Sequence, residues 1–259
     1  MKSIILAAGY ATRLRPLTEN TAKPLLPVAG RPMIDYIVDK ILELDEVDQI
    51  HVVTNHRFAG SFSAWAARRR DRIPIIVDDD GTLSNEDRLG AIGDIEFTLE
   101  HSGLEGDDLL VIAGDNLFDF SLVDYVAFWR GKKDGSAIAL YRFPDKKLIP
   151  LYSIVELDAS ERVISFTEKP KNPTTDLVAI ATYIYGRDHV PLIARYLAEG
   201  NSKDAPGNLV AWLHSRVPVY GYRFAGEWLD IGDQSQLLEA DNRARARLGL
   251  PQRSAYSID

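Results

Sequence analysis

Cysteine is absent from the 259 residues, which excludes disulfides, thiolate nucleophiles and cysteine-ligated zinc. A surplus of positive charge is missing too. With 30 basic and 38 acidic residues the formal net charge is −8. A general nucleic-acid binder needs a basic face to neutralise phosphates, so that class is excluded. No hydrophobic run approaches membrane length, and the apolar start of the chain is too short for a signal peptide; no membrane association is expected, and the cytoplasm is the expected compartment. The five histidines, His51, His56, His101, His189 and His214, show no metal-ligand spacing. Neither a Walker A Gly-Lys-Ser/Thr nor a dinucleotide GxGxxG is present.

What is present is an alternation of β-rich runs and amphipathic segments. Strands are expected over residues 3–7, 49–54, 73–77, 109–113, 136–141, 153–157, 163–166, 179–185 and 217–224. Pro32 opens a helix with Ile34, Ile37, Ile41 and Leu44 on one stripe. Ser121 caps another that runs to Trp129 and stops at Gly131. Residues 188–198 and 235–248 also read as helices. This pattern predicts an α/β fold around an open, mainly parallel sheet, whose ligands sit at the carboxyl ends of the strands. The chain reads as one domain over 1–259, with a core to about 250 and a loose tail over 251–259.

The first strand runs into Leu6-Ala7-Ala8-Gly9-Tyr10-Ala11-Thr12-Arg13-Leu14, with Lys23-Pro24 downstream. A strand ending in a small-residue turn that then offers two cations suits a triphosphate. Backbone N–H groups meet the oxygens, and the cations neutralise a leaving pyrophosphate. Further on, Gly114-Asp115-Asn116 follows the strand 109–113 and places a carboxylate at the sheet edge, where it can hold a hard cation. Read alone, Asp115 could equally be a turn or cap residue. Glu168-Lys169-Pro170 closes another strand and offers a point charge suited to a phosphate monoester. Trp228-Leu229-Asp230-Ile231-Gly232 forms a fourth motif, whose tryptophan could serve packing alone.

Together these motifs, in this order, resemble the sugar-1-phosphate nucleotidyltransferases, and in particular the glucose-1-phosphate thymidylyltransferase-like members. The family's usual signature is L-A-A/G-G-x-G-T-R-L-x-P-x-T followed by K-P, then G-D-N, E-K-P and W-x-D-I/T-G. The resemblance implies a Rossmann-like, glycosyltransferase-A-like mixed sheet flanked by helices. It implies transfer of a nucleotidyl group from an NTP, dTTP or UTP favoured, to a sugar-1-phosphate, with release of pyrophosphate and with Mg²⁺ as cofactor. By the same resemblance Leu6, Ala7, Ala8, Gly9, Thr12 and Arg13 bind nucleotide. Arg13 serves the departing phosphates and Lys23 the reacting ones. Asp115 and Asp230 hold the metal, and Tyr152, Glu168 and Lys169 hold the sugar phosphate. A homodimer is the implied assembly.

The chain departs from the family in three places. Ala11 stands where the second signature glycine is usual, which a negative φ would tolerate. In the loop that chooses the base, Asp80 to Asp94 replaces a Q-x-x-P-x-G-L-A pattern; Gly90 takes the place of the base-contacting glycine and the glutamine has no counterpart. Ser153 and Ala181 stand where pocket glycines are common, narrowing the space beside a sugar or ribose.

Other features carry plainer readings. Asp78-Asp79-Asp80 matches the D-x-D of glycosyltransferases that use preformed nucleotide sugars, but acidic triplets in loops are usually solvated. Such an enzyme would have no use for the Arg13/Lys23 pair, and a catalytically silent regulatory subunit would not keep all five charged signature residues. Arg68-Arg69-Arg70 with Arg72 reads as an exposed helix face. Trp65, Trp129 and Trp212 read as packing residues.

Overall fold

The computed structural model describes residues 1–258. The first half of the chain winds β1 (Lys2–Leu6), a short β2–β3 hairpin (Pro27–Val28, Arg31–Pro32), α1 (Met33–Leu42), β4 (Gln49–Thr54), α2 (His56–Arg68), β5 (Ile75–Asp79), α3 (Ala91–Ser102) and β6 (Leu109–Ala113). The second half adds β7 (Asn116–Phe118), α4 (Leu122–Gly131), β8 (Ser136–Arg142), β9 (Ile154–Leu157), β10 (Val163–Thr167) and β11 (Leu177–Tyr185). It continues with α5 (Pro191–Ala198), α6 (Pro206–Leu213), β12 (Val219–Phe224), β13 (Trp228–Asp230) and α7 (Gln234–Arg247).

The main sheet runs β10-β9-β11-β6-β1-β4-β5, with β8 and β12 continuing from β11. Strands β6, β1, β4 and β5 are parallel, as right-handed strand–helix crossovers require, while β11 enters antiparallel to β6. Alternation along the strands divides the core. Ile5, Val52, Leu110 and Ile112 face α1, α2 and α4 on one side. Ile4, Val53, Leu109 and Val111 face α3, α5 and α6 on the other. Near-continuous apolar runs in β1, β4 and β6 are what a sheet covered on both faces demands. A third cluster of Leu14, Leu26, Met33, Ile231 and Leu237 ties α7 to the loops beside β1. No helix among the described residues is long and apolar enough to cross a membrane.

The expected mixed, mainly parallel sheet is the one observed, with helices on both faces. Helices α2, α3 and α6 were not among the expected elements, although each carries a readable stripe: Phe58, Phe62 and Trp65; Ile92, Ile95 and Leu99; Leu209, Val210 and Leu213. Strand β5 begins after Pro74 and ends at Asp79, later than expected, so two members of the acidic triplet belong to the sheet. The segment expected to be a loose tail makes specific contacts. The Tyr256 hydroxyl donates to the Pro27 carbonyl at 2.7 Å, and the Arg253 N–H to Asn242 at 2.7 Å. Asp259 lies outside the described residues.

Candidate active site

The turn after β1 is held from three directions. The Ala7 N–H donates to the Val53 carbonyl at 2.9 Å and the Gly114 N–H to the Leu6 carbonyl at 2.8 Å. Asn55 reaches the Ala8 carbonyl through its amide nitrogen at 2.8 Å, while its oxygen caps α2 by accepting from the Phe58 N–H. A Cβ on Gly114 would lie 2.9 Å from the Leu6 carbonyl oxygen and 3.0 Å from Pro24, so the chain leading to Asp115 passes too close for any side chain. Gly9, Thr12 and Arg13 remain exposed beyond the turn, while Ala7 and Ala8 are buried.

Ala11 adopts φ 44°, ψ 46°, not the negative φ that would tolerate a methyl without strain. Its carbonyl accepts from the Thr18 hydroxyl at 2.9 Å and the Leu14 N–H at 3.0 Å. The turn therefore keeps the left-handed geometry of a glycine while carrying a methyl.

Asp115 and Asp230, far apart in sequence, meet through a two-stranded ribbon. β7 pairs antiparallel with β13, placing Asp230 opposite Asn116, the neighbour of Asp115. Trp228 clamps this ribbon: its buried indole N–H donates to Asn116 at 3.0 Å. The Lys23 ammonium donates to Asp115 at 2.6 Å and is buried. Burial first, and then the charge of Asp115, push the Asp230 carboxyl above its ordinary range; Lys23, Arg13 and Lys169 oppose the shift. Asp230 thus lies within electrostatic reach of the other four charged signature residues. Arg13 lies beside Gly232 at the start of α7, where a Cβ would stand 3.6 Å from its guanidinium.

Asp115 and the buried Asp230, with the Lys23 ammonium bonded to Asp115, form a hard-oxygen pair suited to a divalent cation. Among the described residues no group of three or more His, Cys, Asp or Glu is arranged to hold a metal. The pair would leave remaining coordination positions to phosphate oxygens and water.

Tyr152 lies within electrostatic reach of Asp230. Burial and the Asp230 charge push its phenol up to about 12, so it stays a neutral hydrogen-bonding group. Its ring packs 5.0 Å from Phe143 and 5.2 Å from Trp228. Ser153 donates a hydrogen bond to Glu168, so the serine that replaces a glycine orients the glutamate. Lys169 has φ 44° although it precedes a proline, and its side chain is 63 % exposed. A non-glycine residue held in this region stores strain, as ligand-binding positions often do. Its ammonium lies 3.7 Å from Glu168, its one ion-pair partner among the described residues. Gly207 in α6 closes the floor: a Cβ there would stand 2.8 Å from the Glu168 oxygen.

Gly90 differs from the others. It is buried at φ 82°, and a Cβ would lie 2.7 Å from the Lys203 carbonyl oxygen, so the approach that demands glycine here is one of chain to chain. The acidic triplet is not a solvated loop. Asp78 is buried against the His51 imidazole at 2.8 Å, Asp79 meets His56 at 2.7 Å, and Asp80 caps Thr82. Nor is the arginine run a uniformly exposed face. Arg69 is mostly buried, bonded to Asp35 and Asp71 at 2.6 Å each. Trp65 and Trp129 are buried in the core, as expected of packing residues.

Asn55 and Gly207 were missed as contributors. Only Asn55 carried a readable signal, an N-cap residue immediately before an apolar helical stripe.

A family profile described as nucleotidyl transferase matches residues 2–247; the chain belongs to this family. It is 29 % identical over 237 residues to the UTP–glucose-1-phosphate uridylyltransferase of Synechocystis sp., covering 90 % of this chain and 60 % of that protein. It is 25 % identical over 256 residues to the glucose-1-phosphate adenylyltransferase of Clostridium acetobutylicum, covering 92 % and 66 % respectively. The chain thus spans less than two-thirds of the length of these curated relatives. The crystal structure of a UDP-glucose pyrophosphorylase complexed with UDP-glucose superposes with a TM-score of 0.81 at 19 % identity, covering 95 % of this chain and 98 % of the other. That likeness fixes the fold as the family's mixed sheet with flanking helices.

Proposed function

We propose that the chain is a sugar-1-phosphate nucleotidyltransferase that transfers a nucleotidyl group from an NTP, dTTP or UTP favoured, to a sugar-1-phosphate and releases pyrophosphate. The observation that carries this reading is the gathering of Asp115, Asp230, Lys23, Arg13 and Lys169 around one sheet edge. Of the two relatives named above, one is a uridylyltransferase and the other an adenylyltransferase. The pyrimidine preference therefore rests on resemblance to the thymidylyltransferase-like members.

An oxygen of the sugar phosphate attacks the α-phosphorus. The new P–O bond forms as the α–β bridging bond breaks, and the electron pair leaves with pyrophosphate. A phosphate monoester is already anionic near neutral pH, so no protein nucleophile or strong base is needed; positioning and charge neutralisation carry the rate. Arg13 meets the departing β,γ-phosphates. Lys23 sits where charge develops on the reacting phosphates, and it holds Asp115 in place. Lys169, with Glu168 and Tyr152, orients the acceptor. Asp115 and Asp230 would hold Mg²⁺, which supplies further neutralisation at the α-phosphate when bound.

Pyrophosphate release in the presence of Mg²⁺, measured for each common NTP against a panel of sugar-1-phosphates, tests the reading. Release that requires both partners is expected. Release from an NTP alone, or none from any pair with the protein folded, would refute it.

A further inference from the structure

Asp80, just after β5, and Asp94, in the first turn of α3, are two carboxyls that the proposed chemistry leaves unused. Asp80 accepts from the Thr82 N–H and hydroxyl, both at 2.7 Å, through one oxygen. Its other oxygen is buried without a donor from the protein, and so is one oxygen of Asp94 in the first turn of α3. The two side chains are hydrogen-bonding neighbours. Two carboxylate oxygens cannot face each other bare in a buried site, whereas one proton between them satisfies both.

The charged groups facing the pair come from the elements around it. Asp79, at the end of β5, adds negative charge beside Asp80, and Lys203, from the segment ahead of α6, offsets part of it at Asp94. Burial first, and then the Asp80 charge, push the Asp94 carboxyl up to about 8.

The pair also has a mechanical connection to the signature turn. The Thr82 hydroxyl lies 3.3 Å from the Tyr10 hydroxyl, and Tyr10 itself faces Asp80, Asp87 and Arg57. The Thr82 carbonyl accepts from the His56 N–H at 3.0 Å, and the Asp94 N–H donates to the Gly90 carbonyl at 2.7 Å. Thr82 is therefore held by Asp80 on one side and by Tyr10 and His56 on the other.

We propose that a single proton shared between Asp80 and Asp94 positions the nucleotide side of the site, keeping the 80–90 segment folded against the signature turn, so that its loss weakens NTP binding. The nucleotide part rests on the function proposed above; the shared proton does not. Asp94 is a positioning residue here, acting through Asp80, Thr82 and Tyr10. The sign of the pH effect follows from linkage. The folded chain holds this proton more tightly than the unfolded chain, so its stabilising contribution is complete in the acid range. That contribution falls as the pH rises through about 8.

Two measurements on the full chain test this. Carboxyl carbon NMR should show an aspartate titrating near 8 in the wild type and none there in Asp94→Asn, whose amide donates permanently to Asp80. Calorimetry with dTTP and with UTP should show a Kd about tenfold weaker one pH unit above that titration in the wild type, as expected when about a tenth of the protein remains competent. Asp94→Asn should change by less than about twofold over the same interval. Asp80→Asn, which keeps the acceptor for Thr82 and donates to Asp94, provides the same comparison if Asp94→Asn fails to fold.

An aspartate titration confined to the ordinary carboxyl range would overturn the shared proton. A wild-type Kd that weakens no more than the variant's would overturn the positioning role. Absence of NTP binding at every pH would overturn both the positioning role and the proposed function, while the NMR result would still decide the proton pair on its own.

Discussion

Replacing Ala11 by glycine should stabilise this protein, although it removes a methyl group from a partly buried position. The residue sits at φ 44°, ψ 46°, where an L side chain crowds its own backbone at a cost of about 1–2 kcal/mol. Glycine escapes that cost but gives up about 0.4–1 kcal/mol through the greater freedom of the unfolded chain. The balance is a gain of about 1 kcal/mol, which in a domain of this size raises the melting temperature by about 2–4 °C. The gain survives only if the turn is fixed, and the hydrogen bonds from Thr18 and Leu14 to the Ala11 carbonyl fix it. Thermal melts of the wild type and Ala11→Gly at one pH and protein concentration measure the difference. Ala11→Val, which forces a β-branched residue into the same region, should melt below both. A glycine variant no more stable than the wild type would show that the turn is not left-handed in solution, or that the methyl's packing outweighs its strain.

Three further outcomes are expected. Asp115→Asn should fold normally, yet lose about a hundredfold or more of its metal-dependent pyrophosphate release, the scale of removing one preorganised charge contact; wild-type turnover would take Asp115 out of the metal pair. Lys169→Ala should raise the KM for the sugar phosphate about tenfold, the worth of one charged hydrogen bond, with little effect on the KM for NTP; equal effects on both would mean that Lys169 does not distinguish the acceptor. Arg69→Met should destabilise the fold by about 3 kcal/mol in denaturant titrations, since it strands Asp35 and Asp71 without their partner; a change under about 0.5 kcal/mol would place the cluster among surface ion pairs of little worth.

The parts of the site that were legible in the sequence are those built from contiguous residues. The turn after β1, Gly114-Asp115 and Glu168-Lys169 each follow a strand whose apolar run announces it, so their place at the sheet edge could be read directly. The meeting of Asp115 with Asp230 could not, because it depends on the antiparallel register of β7 against β13, two strands of three residues each. The conformation at Ala11 was not legible, because an alanine in place of the usual glycine gives no sign that the turn keeps a positive φ. Arg69 reads as one of four arginines in a run, whereas its partners are Asp35 and Asp39 of α1 and Asp71 inside the run itself. Burial of Asp78 was hidden for the same reason: the histidine that receives it lies on the adjacent strand.

The β7–β13 ribbon also makes one corner of the proposed site depend on a distant part of the chain. Four parallel strands and the helices between them lie before residue 115, with β1 seated between β4 and β6. The second carboxylate arrives only when residues 228–230 close onto 116–118, a long loop whose closure entropy must be met before any reward is collected. A chain in which residues 228–230 have left the ribbon lacks the second carboxylate of the proposed pair. The proposed cation pair is thus complete only when the distant end of the fold has docked.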